Sequence, residues 1–185
     1  MDLSNRSFVT LVFITLLASL SISQSARAAS AEEIDIKVDG ALTQFKKEVT
    51  GGAEFLTKAK GVLVFPAVLK GGFIVGAEYG EGALRVDNKS IAYYSIASAS
   101  LGLQAGAQEY AIVMVFLDDA ALKKFQESKG WEAGVDGSVA IAKWGAGKDI
   151  NTQSFQEPIV GFVFSNKGLM AGISLEGSKV TKLDR

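Results

Sequence analysis

The sequence predicts an α+β fold: N-terminal amphipathic helices flanking an antiparallel, barrel-like, glycine-rich sheet, with one further helix near 118–129. Three observations predict it. Apolar side chains recur at helical spacing over residues 31–49, strand-like apolar runs dominate after Gly61, and glycine stands inside those runs as well as between them. Glycine inside a strand weakens it, so its repeated use points to close backbone approach in a strongly curved or closed sheet.

The elements follow in order. Ile34, Val38, Leu42, Phe45 and Val49 form the apolar stripe of the first helix, and Lys37, Lys46 and Lys47 mix with acids on its solvated face. Such a stripe docks on the sheet or lies on lipid; docking is the usual fate of an amphipathic face. Gly51-Gly52 stops the helix, and a short second helix over 53–58 turns Phe55 and Leu56 inward. Strands begin at Gly61. Leu101 to Gln108 alternates apolar with small or polar residues, and Gly102 and Gly106 are read there as packing-limited positions. Tyr110 to Leu117 is apolar throughout, which predicts a strand covered on both faces. Asp118 is positioned as the N-cap of a helix that buries Leu122 and Phe125 and ends at Gly130. Further strands are expected at 138–143, 158–164, 168–175 and 178–183.

Arg6, the apolar run from Phe8 to Leu20 and the small residues around Ala26-Arg27-Ala28 form the pattern of a secretory signal peptide cleaved after Ala28. The run is short for a permanent membrane anchor, which is the alternative. Residues 29–185 then suit a single domain in an exported, periplasmic protein. Of the 19 basic and 20 acidic side chains, Arg6, Arg27 and Asp2 belong to that segment, which leaves 17 against 19. Such a balance argues against nucleic acid as a partner.

The chain has no cysteine and no histidine. Disulfides, a lipidated cysteine, histidine-ligated zinc and histidine-based nucleophile pairs are therefore outside its chemistry. Gly145-Ala146-Gly147-Lys148 fails as a phosphate loop because Ala142 and Asp149 stand where glycine and Ser or Thr are required. Asp118-Asp119 is explained by a helix start. These readings predict no catalytic residues, no metal and no cofactor, and hence no enzyme.

Two clusters are candidates for contact with lipid. Pro66 to Gly72, read as a loop between two strands, places Val68 and Leu69 beside Lys70, with Lys58 and Lys60 near in sequence to complete a basic patch. A loop of that kind inserts its aliphatics at the acyl boundary and leaves lysine at headgroup level. The alternative is that Val68 and Leu69 cap the end of the barrel. Lys143, Trp144 and Lys148 form the second cluster, an indole between cations suited to a membrane interface or packed over the end of the sheet.

Ala59-Lys60-Gly61-Val62-Leu63-Val64-Phe65-Pro66, Ser98-Ala99-Ser100-Leu101-Gly102-Leu103 and Gly134-Val135-Asp136-Gly137-Ser138-Val139 together resemble the SYLF domain family. Pro158 to Phe164 and Lys167 to Ser178 resemble its C-terminal end. The chain departs from the family near Trp144-Gly145, where many members carry Gly-Pro. The resemblance implies a lipid-binding module attached peripherally to a phospholipid surface, and the local lysines favour anionic lipid. Actin, attributed to some eukaryotic relatives, is not expected as a partner of an exported protein. A structural or adaptor protein of the envelope, binding an unknown protein through apolar loops and sheet edges, is the alternative.

Overall fold

The structure, a computed structural model, describes residues 29–72, 75–101, 106–142, 156–165, 168–170 and 173–185. Helix α1 (Ala31–Glu48) starts at Ser30, whose hydroxyl accepts a hydrogen bond from the Glu33 backbone N–H. The Glu33 carboxylate accepts in return from the Ser30 N–H at 2.8 Å, so two otherwise orphaned donors are satisfied reciprocally. Its stripe of Ile34, Val38, Ala41 and Phe45, continued by Val49, is buried against the sheet. Leu42, expected on that stripe, lies at its edge and is half-buried, because Ala41 faces the sheet more directly. Gly51, at a left-handed φ of 78°, turns the chain into α2 (Gly52–Lys58). Helix α2 inserts Phe55 edge-on against Phe162 at 5.0 Å, beside the Phe45–Phe162 pair at 4.9 Å.

Four long antiparallel strands follow: β1 (Gly61–Gly72), β2 (Val75–Val86), β3 (Lys89–Leu101) and β4 (Gly106–Phe116). Helix α3 (Asp119–Glu127) is capped by the Asp118 carboxylate, which accepts from the Ala121 N–H at 2.8 Å. It ends two residues before the expected limit at 129, with Ser128 as its C-cap. The remaining strands are β5 (Gly130–Glu132), β6 (Ala140–Ile141), β7 (Ile159–Ser165), β8 (Gly168–Leu169) and β9 (Lys179–Leu183). The strands run β5-β9-β3-β2-β1-β4-β7-β6, with β8 added to β7. Every pairing between them is antiparallel except β6 with β7. The fold is thus the α+β class read from the sequence, its sheet an open, curled half-barrel. The strands expected over 138–143 and 168–175 are two-residue pieces in the described residues.

Strand β4 shows why the sheet carries helices or loops on both faces. Ala111, Val113 and Val115 pack with α1 and α2 on the outer face. Tyr110, Ile112, Met114 and Phe116 pack on the inner face with Leu122 and Phe125 of α3 and with Trp131 and Val180. Its uninterrupted apolar run follows directly from that double coverage.

The expected loop at Pro66 to Gly72 is instead strand. Pairing of β1 with β2 continues through Leu69↔Tyr79 to Gly72↔Gly76, with a bulge between Val64 and Ala67. The bulge accommodates Pro66, which has no N–H for a ladder bond. It also presses β1 onto β2. A Cβ at Gly82 would lie 1.9 Å from the Val64 carbonyl oxygen, and one at Gly80 would lie 2.7 Å from that of Ala67. Here glycine is required by close backbone approach, the reason its sequence use suggested. Gly102, named for that role, lies outside the described residues.

Candidate functional site

Strand alternation divides the residues of the first candidate cluster between two faces. Val68 points to the inner face and is fully buried beside Tyr110, where it packs the half-barrel. Lys70 points the same way. Its ammonium lies 2.6 Å from Glu78 Oε1, with the two side chains only 17% and 10% exposed. Tyr110 Oη donates to the other carboxylate oxygen of Glu78 at 2.6 Å. Burial pushes the Glu78 carboxyl up, but hydrogen bonds from Lys70, Tyr110 and Ser98 and the lysine charge outweigh it and hold the group below its ordinary value. Burial first, and then the Glu78 carboxylate, raises the Tyr110 hydroxyl well above the usual tyrosine range. Lys70 is therefore an interior cation with a committed partner.

Leu69 alone of the trio faces outward, and it is 60% exposed. The basic patch that Lys58 and Lys60 were expected to complete does not form around it. They stand at the opposite end of β1, about 30 Å away at the strand rise of ~3.3 Å per residue. Lys58 pairs with Glu54 at 2.7 Å and Lys60 with Asp119 at 3.4 Å. Lys143, Trp144 and Lys148 lie outside the described residues.

The structure supplies a partner for Leu69 that the sequence reading missed. Tyr79 sits directly across from it on β2, 51% exposed, and Ala97 and Glu109 complete the row on β3 and β4. One step toward the strand ends, the same outer face presents Ala107, Gly71, Ala77 and Ala99, all exposed and uncharged. The signal was available: taking the chain reversal after Gly72, not at Pro66, pairs Leu69 with Tyr79.

Helix α1 covers the neighbouring part of this face and stops short of these rows. At its N-terminal end a hollow of about 610 Å³ is lined by Ile34, Lys37, Pro66, Leu69, Tyr79 and Glu109, among others. A second hollow of about 390 Å³ adjoins it and shares Lys37, Pro66, Ala67 and Glu109. Glu81, on the rim, is already engaged by Arg185 at 2.8 Å and by the Tyr79 hydroxyl at 2.8 Å. Asp35 holds α1 in place, accepting from Ser90 Oγ at 2.6 Å and Tyr93 Oη at 3.0 Å, while Arg85 reaches Asp39 at 2.9 Å. Among the described residues, no group of three or more candidate ligands is placed to hold a metal ion. No helix among them is long and apolar enough to cross a membrane.

The described residues thus form a curled half-barrel capped by N-terminal helices, with Leu69 and Tyr79 exposed on the outer face beyond α1. Residues 97–185 match the family model Ysc84, described as "Las17-binding protein actin regulator". SH3 domain-containing YSC84-like protein 1 of Rattus norvegicus is 32% identical over 131 residues, 68% of this chain and 38% of that protein. Its counterparts in Bos taurus and Homo sapiens are 31% identical over the same coverage. The chain belongs to this Ysc84-like, or SYLF, family. It spans 38% of the length of those curated relatives.

Proposed function

We propose that this protein is exported and binds phospholipid or a similar amphiphile peripherally in the cell envelope, as a non-enzymatic module. The observation that carries the reading is the outer sheet face beyond α1. Leu69 and Tyr79 are both more than half exposed there, and next to them lies a row of exposed residues without a charge. A contiguous exposed apolar face on a folded protein marks a contact surface for membrane or partner, and the ring and hydroxyl of Tyr79 suit the boundary between acyl chains and headgroups. Membership of the Ysc84-like family, which is linked to lipid binding, supports the lipid reading. Export rests on Arg6, the apolar run after it and Ala26-Arg27-Ala28. Actin regulation, named in the description of the family, is a property of those relatives, and an exported protein would not meet actin.

Flotation with phospholipid vesicles tests the binding. Wild type should float with them, and Leu69→Asp should float far less while keeping its fold, since it removes exposed apolar area and adds a charge. Equal flotation of folded wild type and variant would refute this face as the contact. Recovery of one envelope protein without any lipid would favour an adaptor role instead.

A further inference from the structure

We infer that Arg185 is a positioning residue for the Leu69–Tyr79 face: its guanidinium fixes and neutralises Glu81, and Glu81 in turn holds the Tyr79 ring where it meets lipid. This rests on the lipid-binding reading of the same face. The three groups form one chain of contacts. Tyr79 and Glu81 are two residues apart on β2, so both side chains stand on the outer face, and both line the hollow beside α1. The Tyr79 hydroxyl donates to Glu81 Oε1 at 2.8 Å, and the Arg185 guanidinium donates to Glu81 Oε2 at 2.8 Å. Each carboxylate oxygen thus has its own donor. Arg185 follows β9, which neighbours β3, and its side chain reaches past β3 to the pair on β2. The Glu81 and Arg185 side chains are only 14% and 16% exposed, whereas Tyr79 is 51% exposed. The ion pair is withdrawn and the ring is offered.

This arrangement removes two obstacles to contact with lipid. A tyrosine hydroxyl that enters an apolar boundary without an acceptor is destabilising. Here the acceptor is built in beside it. Burial and the adjoining carboxylate raise the Tyr79 hydroxyl above its ordinary value, so it remains a donor. The second obstacle is the carboxylate itself. Glu81 loses hydration as acyl chains approach, and a carboxylate without a partner resists that transfer. Arg185 supplies the partner from within the protein, with no lipid headgroup required. A cation that recruits lipid phosphate would turn its charge outward, whereas the Arg185 guanidinium is turned toward Glu81.

The test is flotation of the full protein with vesicles of phosphatidylcholine, alone and mixed with phosphatidylglycerol. Arg185→Met removes one of the donors to Glu81 and should weaken binding about tenfold, between the effect of an exposed pair and that of a buried one. Glu81→Gln added to Arg185→Met removes the orphaned charge and keeps an amide oxygen as acceptor for Tyr79. That double variant should return to within about threefold of wild type. Glu127→Gln added to Arg185→Met restores the same net charge at an exposed position on α3, and this control should stay weak. Circular dichroism and thermal unfolding fix a temperature at which every variant is folded, so that lost binding is read apart from lost structure. Unweakened binding of Arg185→Met, as when Lys37 of the same hollow takes over Glu81, would overturn the inference and leave the lipid-binding function standing. So would a Glu81 double variant as weak as Arg185→Met alone, which would make Arg185 a direct contact for phosphate. Recovery by the Glu127 control would overturn it too, since net charge alone would then explain the loss. Flotation of wild type with neither preparation would overturn both readings.

Discussion

Replacing Lys70 by methionine distinguishes an interior cation from one that meets headgroups. Methionine keeps the length and apolar stem of lysine but leaves Glu78 buried, with Tyr110 and Ser98 as its remaining hydrogen-bond donors. Removing one partner of a buried pair costs roughly 3–5 kcal/mol. The two side chains retain 17% and 10% exposure, so the lower end, about 3 kcal/mol, is expected near neutral pH. In a domain of this size that is a fall of about 6–12 °C in Tm. Glu78→Gln keeps an acceptor for Tyr110 and should cost somewhat less, about 2 kcal/mol, because lysine can swing its ammonium toward water. The double variant should be less destabilised than the sum of the singles by about 1–3 kcal/mol, the coupling of a contacting pair. The pH dependence has a definite sign. Wild-type Glu78 has a folded pKa below its ordinary 4.5, so its contribution is complete above that value and is lost as pH falls through the folded pKa. Without Lys70 the burial that raises the carboxyl is opposed only by the hydrogen bonds from Tyr110 and Ser98, so the carboxyl moves up, protonation relieves the variant and its deficit narrows toward pH 4. Urea unfolding of the four proteins at pH 7 and pH 4 reads all of this. A Lys70→Met deficit below about 0.5 kcal/mol that does not change with pH would refute the buried pair, since surface substitutions lie in that range.

Further predictions concern packing and processing. Gly82→Ala gains about 0.5–1 kcal/mol of strand preference but sets a methyl 1.9 Å from the Val64 carbonyl oxygen. A net loss of about 1–3 kcal/mol in urea unfolding is therefore expected, and an equal or higher Tm would show that the bulge yields. Phe45→Ala empties the space between Phe162 and Phe164 and should cost about 3–5 kcal/mol. A cost under 1 kcal/mol would mean that α1 is not anchored by that ring. Leu69→Asp should stay within about 0.5 kcal/mol of wild type because the side chain is 60% exposed. Cleavage after Ala28 predicts that N-terminal sequencing of the protein recovered from the periplasmic fraction begins at Ala29, and retention of Met1 would favour a membrane anchor.

The sequence by itself determined the types of the elements and much of the core. The stripe from Ile34 to Val49, the cap at Asp118 and the doubly covered run from Tyr110 are local patterns, and local periodicity carries that information directly. The need for glycine within strands was legible too, as a demand for close approach. Which glycines meet it was not, because Gly82 is constrained by the carbonyl of a residue eighteen positions earlier, across a bulge that only tertiary pairing creates. The same limit applies to the candidate site. Leu69 and Lys70 are adjacent in the chain and identical in their claim to a membrane, yet a strand sends consecutive side chains to opposite faces. Reading Gly71-Gly72 as the end of a loop left that alternation unapplied. Once β1 runs on to Gly72, Leu69 meets Tyr79 outside and Lys70 meets Glu78 inside. The composition showed how many charges the chain carries; the register decided which of them can face a ligand, because pairing across strands, and not proximity in sequence, sets what each charge sees.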